Sequence, residues 1–286
     1  MREFQQSPDT DNIMGSPGER VGAAGWRKRV LLALEGPVAA LGRALVSERR
    51  CVACASAFTL RERGGEDEAG ARLFCADCAE AMPRLERGFC PVCGEIAAWP
   101  HLPPAPCARC LVEPPPWRGF ACHGPHEGLL RRLLIRLKFR DQIPLAHALG
   151  LLLAGHPGLK MLAADVVVPV PLHTGRLADR GYNQALELAR PVARLLGLPL
   201  RPRLIRRIRA TPPQVGSSRE ARKKNIVNAF AAERGARGGH VLLVDDTLTT
   251  GATLIAASDA LLEAGASAVS VAVVSRTLRH CKRFAD

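Results

Sequence analysis

The sequence predicts an α/β protein: a mostly parallel sheet covered by helices, with a small zinc-ribbon module ahead of it. Three observations carry that prediction. Residues 241–244 form an unbroken apolar run, which suits a strand buried on both faces. A helix-like run over 252–264 and a second apolar run over 268–274 follow it, so the segment reads as a βαβ unit. Upstream, 165–172 reads as a strand and 181–196 as a helix with Pro191 inside it, which extends the alternation. Ahead of all this, four C-x-x-C pairs occupy the stretch between residues 51 and 110.

Taken in order, residues 1–25 are rich in Gly, Ser, Asp and Gln and are expected to lack fixed structure. Residues 26–46 have the pattern of an amphipathic helix, and the whole of 1–48 is assigned to a flexible extension. The best apolar run, 30–46, is broken by Glu35, Gly36, Pro37 and Arg43, so no transmembrane helix is expected. The polar start lacks the basic and apolar regions of a secretory signal, which predicts a cytoplasmic protein.

In that compartment cysteines point to metal rather than to disulfides. The pairs are Cys51/Cys54, Cys75/Cys78, Cys90/Cys93 and Cys107/Cys110. Twenty residues separate Cys54 from Cys75 and thirteen separate Cys93 from Cys107, spacings that let two knuckles close on one tetrahedral ion. Two zinc ions are therefore expected in a double zinc-ribbon module over 49–117. Pairing first with second and third with fourth is the simplest order, although interleaved pairs satisfy the same spacing. Cys122 and Cys281 are left over and receive no role. Prolines 103, 104, 106 and 114–116 punctuate the end of the module, and 113–119 reads as a stiff linker into a second domain over 118–286.

That second domain opens with a helix over 129–139, whose Leu130, Leu133, Leu134 and Leu137 share one face. Its basic residues Arg131, Arg132, Arg136, Lys138 and Arg140 read as a solvated outer face. The strand over 165–172 runs into a loop holding Leu172, His173, Thr174, Gly175 and Arg176, with Arg180 beyond. Backbone N–H groups and guanidinium forks there could wrap a diphosphate. Asn183 and Gln184 read as helix-start residues.

Residues 201–225 carry Arg201, Arg203, Arg206, Arg207, Arg209, Arg219, Arg222, Lys223 and Lys224 against the single acid Glu220. Such a segment, interrupted by a loop at 211–218, could close over a polyanion or grip a nucleic-acid backbone. The net charge of +13 agrees with an anionic partner, while 4% aromatic content argues against extensive base stacking.

The acids Asp245 and Asp246 fall at the carboxyl end of the 241–244 strand, where open α/β sheets bind ligands. Thr247, Leu248, Thr249, Thr250 and Gly251 form a turn into the next helix, whose N-terminus favours a phosphate. Two acids beside a phosphate cradle suit a sugar phosphate, the carboxylates meeting ribose hydroxyls or Mg²⁺.

Residues 241–253 resemble the phosphoribosyl-pyrophosphate (PRPP) signature of type I phosphoribosyltransferases. Together with the C-x-x-C module, the Leu137, Lys138, Phe139 ending of 133–139, and residues 169–173, 180–184, 211–214, 222–230 and 244–251, the chain resembles the ComF family of phosphoribosyltransferase-like competence proteins. The resemblance spans residues 50–280. It implies a zinc module followed by a type I phosphoribosyltransferase fold. It also implies PRPP as ligand or substrate with Mg²⁺, single-stranded DNA and competence machinery as partners, and a role in DNA uptake or processing.

On that reading the backbone of 247–251 holds the 5′-phosphate, with the hydroxyls of Thr249, Thr250 and Thr253 assisting. Asp245 and Asp246 engage the ribose hydroxyls, directly or through the metal. Residues 170–175 and Arg180 cradle pyrophosphate, and Arg222, Lys223 and Lys224 close over it. Asp245, Asp246 and Arg180 are the catalytic candidates if the protein is a transferase. One position departs from the purine-specific members of the wider group: Thr249 stands where they place an aspartate that exchanges a proton with the base, which argues against purine salvage of that type. Phosphoribosyl transfer, a non-enzymatic DNA-binding adaptor regulated by PRPP, and another nucleotide-salvage activity all remain as readings of the sequence.

Overall fold

The computed structural model describes residues 48–59, 71–97, 101–139, 142–209 and 229–277. The 1–48 extension, apart from its last residue, and the basic residues Arg222, Lys223 and Lys224 with the 211–218 loop lie outside them, as do Arg140 and Cys281. Among the described residues no helix is long and apolar enough to cross a membrane.

Among the described residues the central sheet has four parallel strands in the order β3-β8-β7-β4, where β3 is Gly119–Pro125, β4 Val166–Pro169, β7 His240–Leu248 and β8 Ala268–Arg276. Strand pleating explains the two hydrophobic layers around it. Leu242, Val244, Ala272 and Val274 join one cluster, and Val241, Leu243, Val271 and Val273 join the other. Alternate residues thus serve opposite faces, and continuous apolar runs are what two covered faces require.

Helices α3 (Gly128–Phe139), α4 (Ile143–Gly155) and α7 (Gln184–Leu196) cover the first face. Helix α3 buries Leu129, Leu130, Leu133, Leu134 and Leu137, each contributing about 1.5–3 kcal/mol on transfer from water. That burial far outweighs the few tenths of a kcal/mol available from surface pairs on the same helix. Helix α8 (Ala252–Glu263) and the short antiparallel pair β5 (Ile205–Arg207) and β6 (Phe230–Ala232) cover the second face. The turn α5 (Pro157–Lys160) leads into β4, and α6 (Thr174–Arg180) follows it.

The expected βαβ unit is present as β7, α8 and β8. Its first strand is longer than the apolar run that announces it, because pairing with β8 continues through Asp245 to Leu248. Two elements differ from the sequence reading. Residues 174–180 form helix α6 instead of an open loop: the His173 ring accepts from Gly175 N at 3.2 Å as its cap, and Gly181 closes it at φ +72°. The stretch 113–119, expected to be a linker, is docked instead. Trp117 is buried, Arg118 N donates to Val269 O at 2.8 Å, and Gly119 already begins β3.

The cysteine-rich segment is built as one motif used twice. Strands β1 (Glu48–Arg50) and β2 (Ala57–Thr59) flank the first knuckle, and helices α1 (Ala76–Glu80) and α2 (Ala108–Val112) carry the second half of each site. In both knuckles the first cysteine's carbonyl accepts from a residue four positions on, Ala55 or Gly94, at 2.8 Å. Both of those residues take positive φ, +64° and +66°. Cys75 and Cys107 then stand at the N-caps of their helices. Residues from 48 onward form one compact unit, in which Cys51, Phe58, Phe74, Cys75 and Met82 share a hydrophobic cluster with the leucines of α3.

Candidate functional site

Two strand ends, two helix starts, parts of two further helices and β5 meet at one cleft. It is lined by Asp245 and Asp246 from β7, Val170, Pro171 and Leu172 beyond β4, Lys138 from α3, Arg176 and Arg180 from α6, Asn183 before α7, Arg207 from β5 and Thr253 in α8. Four basic side chains therefore face two acids in one open cavity. Asn183 fixes the local frame: its Oδ1 accepts from Ala185 N at 3.0 Å to cap α7, and its Nδ2 donates to Val170 O at 3.1 Å. The loop after β4 and the start of α7 are thereby tied together.

Pleating turns the two acids towards different neighbours. Lys138 Nζ pairs with Asp246 Oδ2 at 2.8 Å and donates to Thr247 Oγ1 at 3.3 Å. Thr247 continues a polar chain through Ser275 Oγ at 3.3 Å to His126 Nδ1, 2.9 Å farther on. Asp245 Oδ1 accepts from Asp246 N at 2.8 Å. Burial and the adjacent Asp246 carboxylate push the Asp245 acid up to about 8. Across the cleft, burial and the nearby Arg176 guanidinium lower the pKa of Arg207, whose head lies 5.5 Å over the Phe230 ring. Like charges are thus crowded within one cleft, Asp245 beside Asp246 and Arg207 near Arg176. A cleft of that kind is suited to a divalent cation on the acidic side and a polyanion on the basic side.

The turn after β7 is divided between two environments. Leu248 is buried in the core, Thr249 is exposed, and Gly251 takes φ +88° at the N-cap of α8. Thr250 Oγ1 accepts from Ala252 N at 3.4 Å. Of the sequence candidates, Asp245, Asp246, Thr253, Leu172 and Arg180 line the cleft. His173, Thr174 and Gly175 do not line it, because they form the cap and first turn of α6. Leu248, Thr250 and Gly251 border a smaller apolar cavity with Trp117 and Cys93.

Sequence reasoning missed Lys138 and Arg207 as site residues, having assigned one to a solvated face and the other to a general basic run. Asp246 and Lys138 are far apart in sequence, and only the docking of α3 against β7 reveals the pair.

Two cysteine tetrads, Cys51/Cys54/Cys75/Cys78 and Cys90/Cys93/Cys107/Cys110, each gather four sulfurs within 4.8 Å of one another. This is the first-with-second, third-with-fourth order. Cys54 and Cys75 sulfurs are 3.7 Å apart and those of Cys93 and Cys107 are 3.8 Å apart. A tetrahedral ion with Zn–S bonds of about 2.3 Å demands sulfur–sulfur edges of about 3.8 Å, so both tetrads fit zinc. Burial raises the Cys93 thiol to about 11 and raises Cys110 as well. Such sulfurs ionise together only when a cation sits among them.

Comparison with known proteins adds a family context. Residues 183–284 match the phosphoribosyl transferase domain family. The chain is 38% identical over 212 residues to the DNA utilization protein YhgH of Salmonella typhimurium, covering 72% of this chain and 91% of that protein. It is 27% identical over 230 residues to Competence protein F of Haemophilus influenzae, covering 78% and 94%. It is also 27% identical over 213 residues to Competence protein ComFC of Bacillus subtilis, covering 68% and 80%.

Proposed function

We propose, on the premise that this chain belongs to the ComF family of phosphoribosyltransferase-like proteins, that its cleft binds PRPP with Mg²⁺ in support of the uptake or processing of single-stranded DNA. The observation that carries this reading is the opposition of Asp245 and Asp246 to Arg176, Arg180 and Arg207 across one cavity at the strand ends. A polyol phosphate presents hydroxyls and a bound cation to acids, and phosphate oxygens to guanidiniums.

The residues divide the work. Asp245 and Asp246 hold the magnesium ion and the ribose hydroxyls, which requires Asp246 to exchange its bond with Lys138. Lys138 then remains within reach of the substrate as a mobile cation. Arg176, Arg180 and Arg207 bind the pyrophosphate oxygens, and Thr253 with the N-terminus of α8 receives the 5′-phosphate. Magnesium, when bound, neutralises charge that develops on pyrophosphate oxygens. In transfer, a nucleophile forms a bond to ribose C1 as the C1–O bond breaks, and pyrophosphate leaves with the electron pair. Thr249 offers no carboxylate to an incoming base, which favours acceptors other than those of purine salvage.

The test is titration of Mg²⁺–PRPP into the wild type and the Asp245→Asn/Asp246→Asn double variant, with pyrophosphate release followed in the presence of single-stranded DNA or nucleobases. We expect the double variant to lose at least about tenfold in affinity. Equal affinity would remove these acids from the site. Binding without release by any acceptor would identify the cleft as a sensor and the protein as an adaptor.

A further inference from the structure

Arg276 ends β8 with only 1% of its surface exposed, yet it is a charged side chain. Its guanidinium donates to the Leu248 carbonyl at 2.9 Å and to the Thr249 carbonyl, and it pairs with Glu95 Oε2 at 2.7 Å. A buried guanidinium is costly unless both its charge and its N–H groups are met, so these partners act as one unit. Leu248 and Thr249 begin the turn into α8. Glu95 stands two residues beyond Cys93, and its backbone carbonyl accepts from Cys90 N at 2.8 Å, so it is part of the knuckle itself.

A second contact runs in parallel. Trp117 Nε1 donates to the carbonyl of Val92, inside the same C-x-x-C, at 2.7 Å. The Trp117 ring borders the cavity shared by Cys93, Cys110, Thr250 and Gly251. The knuckle is also pressed against β3, since a methyl added at Gly94 would meet the Phe120 ring at 2.6 Å. The first tetrad is attached elsewhere: Arg136 of α3 donates to the Ala53 carbonyl at 2.5 Å.

We infer that the second cysteine tetrad, closed on zinc, sets the conformation of the turn over 249–253 through Glu95 and Arg276. Arg276 is a positioning residue: it does not line the cleft, but it holds the Leu248 and Thr249 carbonyls at the start of the turn that leads to Thr253, which does line it. The inference rests on the phosphate-binding role given to this turn above. It assigns the second zinc site a function in the cleft that the first does not share.

The experiment uses the full-length zinc-loaded protein and the variants Glu95→Gln and Arg276→Lys. Zinc content, amide hydrogen exchange over residues 249–253 and affinity for Mg²⁺–PRPP are measured on each. Glu95→Gln keeps the shape and removes the charge, and Arg276→Lys keeps the charge but cannot span two carbonyls and a carboxylate. With two zinc ions retained, we expect exchange in the turn to rise about tenfold or more and PRPP affinity to fall by about tenfold. Unchanged exchange in both variants overturns the coupling. Faster exchange with unaltered PRPP affinity overturns the positioning role. Faster exchange in a protein whose wild type binds no PRPP leaves the coupling in place and removes the PRPP reading instead.

Discussion

At Asp245, burial and the neighbouring Asp246 carboxylate both favour the protonated acid, and the direction of the resulting pH dependence follows. The folded protein holds this proton to about 8, whereas the unfolded chain releases it near 3.8, the ordinary value of an aspartate. Between those two pH values the native state binds the extra proton, so stability from this group falls as pH rises through the window and is level above it. Asp245→Asn should remove that slope and, without magnesium, raise stability at pH 8.5 by on the order of 1–2 kcal/mol, part of the ~1.4 kcal/mol per pKa unit because the residue keeps some solvent contact. Urea denaturation at pH 5 and pH 8.5 checks it; an equal slope in wild type and variant would refute the burial argument. The acid pair itself was legible in the sequence, since an apolar strand running into tandem acids and a hydroxyl-rich turn is a local pattern. Its electrostatic partners were not. Glu95 and Arg276 are separated by 181 residues, and no periodicity links a knuckle glutamate to the end of the last strand.

Helices and strands were legible in proportion to how purely their residues report one environment. Strands β7 and β8 read clearly because both faces are apolar. Strand β3 did not, because it is assembled from Gly119, Cys122, His123 and Gly124, and its glycines answer to neighbours rather than to strand propensity. At Gly124 an added methyl would run into the Pro83 carbonyl of the cysteine-rich segment, and at Gly119 into Leu162. Helix α6 was hidden by the prolines before it and by a histidine serving as its cap. The same close-approach logic governs α4 against α7. A methyl at Gly150 would stand 2.5 Å from the Leu188 carbonyl and 2.5 Å from Pro191 Cγ, so the two helices meet backbone to backbone at the turn containing the proline. Gly150→Ala gains about 1 kcal/mol of helix propensity, but the obstacle is a carbonyl rather than a flexible side chain. We expect a net loss of about 1–3 kcal/mol by chemical denaturation. A stabilised variant would mean the helices separate freely there.

Over the whole molecule, the cysteine-rich segment and the sheet share their interior. Cys51 and Cys75 lie in the same cluster as Leu130, Leu133 and Leu134, and the second knuckle rests on β3 and the turn before α8. Removing zinc with a chelator should therefore lower the thermal midpoint of the entire unit in a single transition, because ligand-site folding energy is folding energy of the shared core. Calorimetry that resolved two transitions, with the sheet melting unchanged, would show the segment to be separable. The strand order also governs how the chain must be made. Among the described strands β3 pairs only with β8, and β4 pairs with β7 and, through a single bridge from Val167, with Leu200, so the two strands of this sheet synthesised first have no partner in each other. Every pairing between these four strands waits for residues 240–276 to leave the ribosome, after most of the polypeptide has been exposed. Folding of the sheet is consequently a late, non-local event, and premature termination anywhere before β8 leaves apolar edges open to aggregation and to chaperones.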